Sequence, residues 1–535
     1  MTDVLEADYV VVGAGSAGCV VAARLSEDAG TRVLLLEAGP PDRNPFIHIP
    51  AGTRRLIEKS LLNWNYATEP DPGIGGRSLA WPRGKVLGGS SSINGMNYVR
   101  GNPADYDGWV QMGCRGWSYA EVLPFFRKAE RYAPGDPVFR GKDGPLVVQD
   151  YPGVLPVTHR FVAAAEQAGF ACHDYNGRTQ EGVGYSQMTR IGRWRGSTAA
   201  TYLAAAKRRP NLATTTAALA TGLAFDGARC TGVRLRRNGR ELVARARREV
   251  ILSGGTINSP QLLQISGIGD PVHLAGIGVP VRHASPGVGR NLADHYAARL
   301  AFRIRGLETI NELSRGWRLV REIGAWVVAG RGALTNGVST ASVFCRSRPG
   351  LASPDLQLLF APFSWGQGGP GAFERAPGVT ISVCATRPDS RGTVLARSPD
   401  PAAKPAIVPN YLSAPGDLAV ILAGIRTARG ILAQPALAAY VVGETAPGGA
   451  VTDDAALADF TRRTGGTVYH PVGTCRMGED DAAVVDSRLR VRGLQGLRVV
   501  DASVMPTLTT GNTNAPTIMI AEKGAAMIRE DAQAA

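Results

Sequence analysis

Residues 8–13, Asp-Tyr-Val-Val-Val-Gly, form a short, almost continuous apolar run that stops at a glycine. A run of that length predicts a buried strand, because a helix needs more residues and would show polar positions on one face. The next segment, "SAGCVVAARLSED" (16–28), mixes small and apolar residues and predicts a helix. "RVLLLEAG" (32–39) then predicts a second buried strand. Strand, helix and strand in this order make a βαβ unit, the seed of a parallel sheet. Further on, "RLRRNGRELVARARRE" (234–249) predicts two short strands around an Asn238-Gly239 turn. "PDLQLLFAPF" (354–363) and "LRVVDASVMP" (497–506) predict further strands. Residues 313–331 predict a helix, with Trp317, Leu319, Val320, Ile323, Trp326 and Val327 apolar among arginines. No apolar run reaches the length of a membrane-spanning helix.

Composition narrows the class. At 535 residues the chain exceeds one ordinary core, so two domains are expected. Hydrophobic content of 44% with 19% charged residues describes a globular protein. No basic segment followed by an apolar stretch and a cleavage site marks a signal peptide. The seven cysteines are scattered without metal or disulfide spacing, which fits a reducing cytoplasm and no metal site. The net charge of +14 comes from arginines spread along the chain, with only seven lysines. No nucleic-acid-binding module accompanies that charge, so nucleic acid is not an expected partner. The basic helix at 313–331 is expected to pack as a lid or core helix, with contact to a membrane surface as the less favoured alternative.

The strongest local chemistry lies at the first turn. Gly13, Gly15 and Gly18 form G-x-G-x-x-G between the predicted strand and helix. Gly13 permits the tight turn, Gly15 lets the backbone approach a pyrophosphate, and Gly18 lets helix and strand pack closely. Glu37 ends the second strand nineteen residues after Gly18, where a carboxylate accepts hydrogen bonds from ribose hydroxyls. The unit therefore predicts a bound dinucleotide, NAD or FAD. The acid argues against a 2′-phosphate and so against NADP.

The longer motifs carry a resemblance. "RGKVLGGSSSINGMNYVRG" (83–101), "GGTINSPQLLQISGIG" (254–269), "YHPVGTCRMG" (469–478), "LRVVDASVMP" (497–506) and "GNTNAPTIMIAEKGA" (511–525) occur in this order. Together they resemble the glucose–methanol–choline (GMC) family of FAD-dependent oxidoreductases, from Gly13 to Lys523, and look most like its bacterial alcohol and choline dehydrogenases and its hydroxymethylfurfural-type oxidases. The resemblance implies an α/β fold: a Rossmann-like FAD-binding domain with an α+β substrate-binding domain capping it. It implies a discontinuous FAD domain over 1–157, 198–300 and 464–535, and a substrate domain over 158–197 and 301–463. It places Gly13, Gly15, Ser16, Ala17, Gly18, Glu37 and Ala38 at the dinucleotide, and Arg83, Val86, Gly88, Gly89, Ser90, Asn94 and Gly95 along the FAD. It further places Asp501 and Ala502 beside the ribityl and pyrophosphate groups, Trp64 near the cofactor, and Ala220 at the adenine. Some relatives join a histidine of the 88–95 loop covalently to the flavin. The matching residue is Ile93, so noncovalent FAD is expected.

The same resemblance makes His470 the catalytic base and Asn514 the second active-site position. Imidazole suits the first role because its ordinary pKa lies near neutrality, and an amide can donate to an alcohol oxygen without titrating. Asp294 and His295, in "GRNLADHY", are expected to be structural residues at a domain junction. The implied activity is oxidation of a primary alcohol to an aldehyde, with electrons passed to oxygen or a quinone-type acceptor. The alternatives are a lyase of the same fold or a choline dehydrogenase. Arg299, Arg303 and Arg305 follow His295, where choline-oxidising relatives can place an acid, so neutral or anionic alcohols are favoured over choline.

Overall fold

The computed structural model describes residues 4–58, 60–365 and 373–534. The first apolar run becomes β1 (Val4–Val12) and the second β2 (Val33–Leu36), joined by helix α1 (Gly18–Leu25). β1 lies between β2 and the long strand Arg240–Leu252, parallel to both. Leu212–Thr215 extends the parallel sheet beyond β2, and Leu497–Val499 adds to the end of Arg240–Leu252. All four residues of β2 are buried, as expected for a strand covered on both faces. β1 begins four residues before the sequence pattern suggests, because Val4–Ala7 pair with Val243–Ala246 of the long strand. The arginine-rich segment is the predicted hairpin: Arg229–Arg237 and Arg240–Leu252 run antiparallel. Asn238 and Gly239 both have positive φ, 50° and 77°, as a two-residue hairpin turn demands.

A second, antiparallel sheet runs in the order Val441–Ala446, Tyr296–Ile304, Gly378–Ala385, Leu356–Ala361, Ala341–Cys345 and Gly182–Tyr185. Alternation along Tyr296–Ile304 decides its two faces. Tyr296, Ala298, Leu300, Phe302 and Ile304 enter an apolar core with residues of the helices Pro156–Gln167 and Pro415–Leu432. Phe161 stacks on Phe360 there at 4.2 Å between centroids. Each fully buried Leu, Ile or Phe in such a core contributes about 1.5–3 kcal/mol. The opposite face carries Arg299 and Ser382, which meet the cavity described below. A domain boundary at residue 300 would cut Tyr296–Ile304. The whole strand belongs to the second sheet, because splitting it would strand half its ladder bonds with Gly378–Ala385.

The helix predicted over 313–331 spans Gly316–Ala329 and stops at Gly330, whose φ of 64° closes it. It is less packed than expected. Only Glu322 and Trp326 are buried, Trp326 edge-on to Trp194, while Trp317 and Val328 are 68% and 82% exposed. Leu319 and Ile323 turn instead toward the cavity. No helix among the described residues is long and apolar enough to cross a membrane.

Candidate active site

A cavity of about 920 Å³ runs from the first turn of the parallel sheet to the inner face of the antiparallel one. Its first end is built by backbone. Gly13 turns with φ 98°, and a Cβ on Gly18 would sit 1.8 Å from the Gly13 carbonyl oxygen, so α1 can approach β1 only through glycine. Glu37 closes the same turn. Its carboxylate accepts from the Ala14 amide at 2.9 Å and the Gly39 amide at 2.8 Å. Burial pushes the Glu37 carboxyl up to about 7, against the opposing pull of these two amides.

The 88–95 loop forms the next wall. Gly89 has φ 51°, and a Cβ there would lie 2.6 Å from the Gly15 Cα, so two glycine backbones pass in contact. Arg195, fully buried, holds this loop by donating to the Asn94 carbonyl (2.6 Å) and side-chain oxygen (2.9 Å), the Ile47 carbonyl (2.7 Å) and Thr53 Oγ1 (2.7 Å). No carboxylate pairs with it among the described residues, and burial lowers it to about 9. Sequence reasoning missed Arg195, because a lone arginine in "GRWRGS" carries no motif. Asp501 sits at the start of the helix Gly255–Ile265, accepting from Gly255 N (2.9 Å), Ser259 Oγ (2.6 Å) and Ser503 N (2.8 Å). Burial raises its carboxyl above the ordinary value.

Of the residues expected to touch a cofactor, Gly13, Gly15, Ser16, Ala17, Glu37, Ala38, Trp64, Arg83, Gly89, Ser90, Asn94, Gly95, Ala220, Asp501 and Ala502 line the cavity, and so does Ile93. Gly18, Val86 and Gly88 lie behind it. Gly18 serves helix packing, Val86 is fully buried with Ile47, Leu56, Leu62 and Ile93, and the Gly88 amide donates to the Ala14 carbonyl at 2.7 Å. They shape the wall rather than form its surface.

At the far end, His470 is one link of a hydrogen-bonded chain. His295 Nε2 lies 2.9 Å from the Thr386 carbonyl, which can only accept, so Nε2 carries the proton. Burial drives His295 down to about 4, so the ring is neutral near pH 7 and its Nδ1 is a lone pair. That Nδ1 is 3.0 Å from His470 Nδ1, which must therefore be the donor. His470 is itself held well below its ordinary value by burial, then by His295 and Arg83. Its Nε2 is left as a lone pair and accepts from Asn512 Nδ2 at 2.9 Å. The two rings meet edge to face, 89° apart. Asp294 fixes the backbone: its Oδ1 accepts from His470 N at 2.7 Å, and its Oδ2 accepts from Thr467 Oγ1 at 2.6 Å and from Tyr411.

Both asparagines of "GNTNAP" line the cavity, and they differ in their partners. Asn512, not Asn514, meets His470. Asn514 starts the helix Asn514–Ala534 and its Oδ1 accepts from Ser16 Oγ at 2.8 Å, on the dinucleotide side of the cavity. "GNTNAP" offers two asparagines, and nothing in the string says which one precedes the helix. His295, expected to be merely structural, is in direct contact with His470. Its neighbour Asp294 was a weak signal, since a buried acid beside a histidine commonly orients something.

The residues present fit an FAD. The strip beside Gly15 is open: the nearest atom to a Cβ placed there would be Gly89 Cα, at 3.9 Å. The buried Arg83 Nε and Asn512 Oδ1 have no protein partner among the described residues, and both residues line the cavity, where they can meet a ligand. Beyond His470 the wall turns apolar, with Leu319, Ile323, Leu359, Ala361, Phe363 and Trp365, and it contains Arg299. Of the three arginines noted in the sequence, Arg303 pairs with Glu374 at 3.6 Å and Arg305 is exposed, and only Arg299 lines the cavity.

The family profile described as GMC oxidoreductase matches residues 7–297 with its N-terminal part and 388–521 with its C-terminal part. The chain is 42% identical to an oxygen-dependent choline dehydrogenase of Sinorhizobium medicae, covering 97% of this chain and 95% of that one. It is also 42% identical to an alcohol dehydrogenase [acceptor] of Pseudomonas putida, with the same coverage. Among solved structures, pyridoxine 4-oxidase from Mesorbium loti superposes with a TM-score of 0.89 at 31% identity, over 98% of this chain and 99% of the other.

Proposed function

The chain belongs to the GMC oxidoreductase family, and from that premise we propose that it oxidises a primary alcohol to an aldehyde with FAD, using His470 as the base. The observation that supports this most is the chain Thr386–His295–His470–Asn512, which leaves an unprotonated nitrogen on the cavity wall. Gly13, Gly15, Ser16, Ala17, Glu37, Ala38, Asp501 and Ala502 would hold the dinucleotide, with Ala220 near the adenine. Trp64, Arg83, Gly89, Ser90, Asn94 and Gly95 would hold the flavin side. Bound FAD supplies the acceptor for the hydride. The attachment is noncovalent in this proposal, because the aliphatic Ile93 has no nucleophile to offer.

An alcohol hydroxyl that displaces the Asn512 amide from His470 would donate to Nε2 and accept from the freed Asn512 Nδ2–H. His470 removes the hydroxyl proton, which makes the carbinol carbon a better hydride donor. Asn512 Nδ2–H then stabilises the oxygen as negative charge grows on it. The imidazolium formed keeps its Nδ1–H on the His295 lone pair, so its charge is spread without moving the ring. Leu359, Phe363 and their neighbours exclude water from the reacting carbon. The acceptor that would reoxidise the bound cofactor is oxygen or a quinone-type compound. A quaternary ammonium, the substrate named for choline dehydrogenases, is disfavoured by the Arg299 cation in the wall.

The test is anaerobic mixing of the FAD-loaded protein with a panel of alcohols, followed by oxygen or a quinone analogue. A primary alcohol should bleach the flavin absorbance. If no alcohol does, and the flavin stays oxidised while a substrate is still consumed, the protein is a lyase instead.

A further inference from the structure

Arg299 is built into the cavity in a way that the oxidation of an alcohol does not require. It lies on Tyr296–Ile304 at an alternate position to the buried Ala298 and Leu300, so its side chain projects from the inner face of the sheet. Register places Ser382 directly across from it, and Leu359 across from Ser382; all three line the cavity. Among the described residues the guanidinium has one protein acceptor, the Thr467 carbonyl at 3.0 Å from Nη2. No carboxylate lies within ion-pair distance of it among the described residues. The fully buried Arg100, Arg140 and Arg498 and the half-buried Arg429 pair with glutamates, whereas the half-buried Arg299, like the buried Arg195, has no such partner among the described residues. A cation held in a largely apolar chamber with most of its donors unused is a site for an anion, and a planar guanidinium matches a carboxylate in two-point geometry.

We propose that Arg299, with the Ser382 hydroxyl beside it, is a carboxylate subsite, and that the preferred substrates are primary alcohols carrying a carboxylate on an apolar spacer. This rests on the proposed alcohol oxidation for its catalytic consequence, but not for binding. The carboxylate docks on Arg299 and Ser382. The spacer lies along Leu359 and Phe363. The hydroxymethyl end reaches His470 and Asn512, which share the same cavity. Thr467, the backbone partner of Arg299, is three residues from His470, so the charge sits close to the catalytic loop without being part of it.

The experiment compares matched ligands on the FAD-loaded wild type and on Arg299→Gln and Arg299→Glu. Kinetically, 4-(hydroxymethyl)benzoate is set against its uncharged amide, and the ratio of their kcat/KM values is read. Wild type should favour the carboxylate, and Arg299→Gln should lower that ratio by about 10- to 100-fold, the worth of a charge-assisted hydrogen bond. Arg299→Glu should reverse the preference. Binding is read separately, by perturbation of the flavin spectrum with benzoate against benzamide, which needs no turnover. If benzoate binds Arg299→Gln as tightly as wild type, or the kinetic ratio is unchanged in both variants, the subsite is refuted. If Arg299→Gln loses both ligands of each pair equally, Arg299 only braces the Thr467 loop and the proposal also falls. If benzoate discriminates as expected while neither alcohol bleaches the flavin, the subsite stands and the proposed oxidation does not.

Discussion

Removing the His295 ring while keeping the pocket apolar is the most searching perturbation of the hydrogen-bonded chain. In His295→Leu, His470 Nδ1–H loses the lone pair 3.0 Å away that now fixes its tautomer. A buried donor left without a partner costs about 1–3 kcal/mol. His470 can avoid that cost by moving its proton to Nε2, where Asn512 can flip to offer its oxygen, which has no partner at present. The tautomer with a free Nε2 lone pair then falls in population by roughly 5- to 150-fold, at 1.36 kcal/mol per factor of ten. Flavin reduction by alcohol in anaerobic stopped-flow mixing should slow by the same factor, with visible absorbance confirming that FAD remains bound. His295→Gln should recover part of the loss, because one amide can accept from His470 Nδ1 and donate to the Thr386 carbonyl. Rates within twofold of wild type in His295→Leu, or equal rates in the Leu and Gln variants, would refute the reasoning.

The two asparagines should separate by phenotype: Asn512→Ala slows flavin reduction by about 100-fold or more, whereas Asn514→Ala, losing its bond to Ser16, chiefly weakens FAD retention on gel filtration. Gly18→Ala should yield protein without flavin and with a clearly lowered Tm, because the added methyl would sit 1.8 Å from the Gly13 oxygen. Acid should destabilise the fold through the buried imidazoles. His295 is held at about 4 against an ordinary 6.5, so between these values the unfolded chain binds more protons than the folded one. Its contribution is fully present above about pH 6.5 and drains as pH falls toward 4, so the decline of Tm over that window should be shallower in His295→Leu.

Most of the dinucleotide end was legible because glycine spacing reports backbone geometry directly. Gly13 and Gly18 are required by a turn and a helix contact that any sequence with that unit must make, and Glu37 stands at a fixed distance from them. The hairpin at Asn238-Gly239 was legible for the same reason, as its two positive φ angles restrict the residue types. The end of the cavity proposed to be catalytic was legible only in part. His470 was found through its motif, but His295 reaches it across 175 residues of chain, and no local pattern encodes that contact. The choice between Asn512 and Asn514 depends on which residue begins a helix, and helix starts are the least certain feature of a sequence reading. Arg299 could be noted as a charge, yet its inward direction follows from the register of the antiparallel sheet, which the sequence does not display. The exposed face of Gly316–Ala329 shows the converse: apolar residues at helical spacing predicted packing that the fold supplies only at Trp326.

The central claim is that a neutral His470 and a flavin act together on one bound alcohol. Single-turnover reduction of the FAD-loaded His470→Ala variant by a primary alcohol tests it most directly. Flavin content equal to wild type, with a reduction rate lower by about 100- to 10,000-fold, is the predicted result. A variant that keeps its flavin and is reduced at the wild-type rate would contradict the claim.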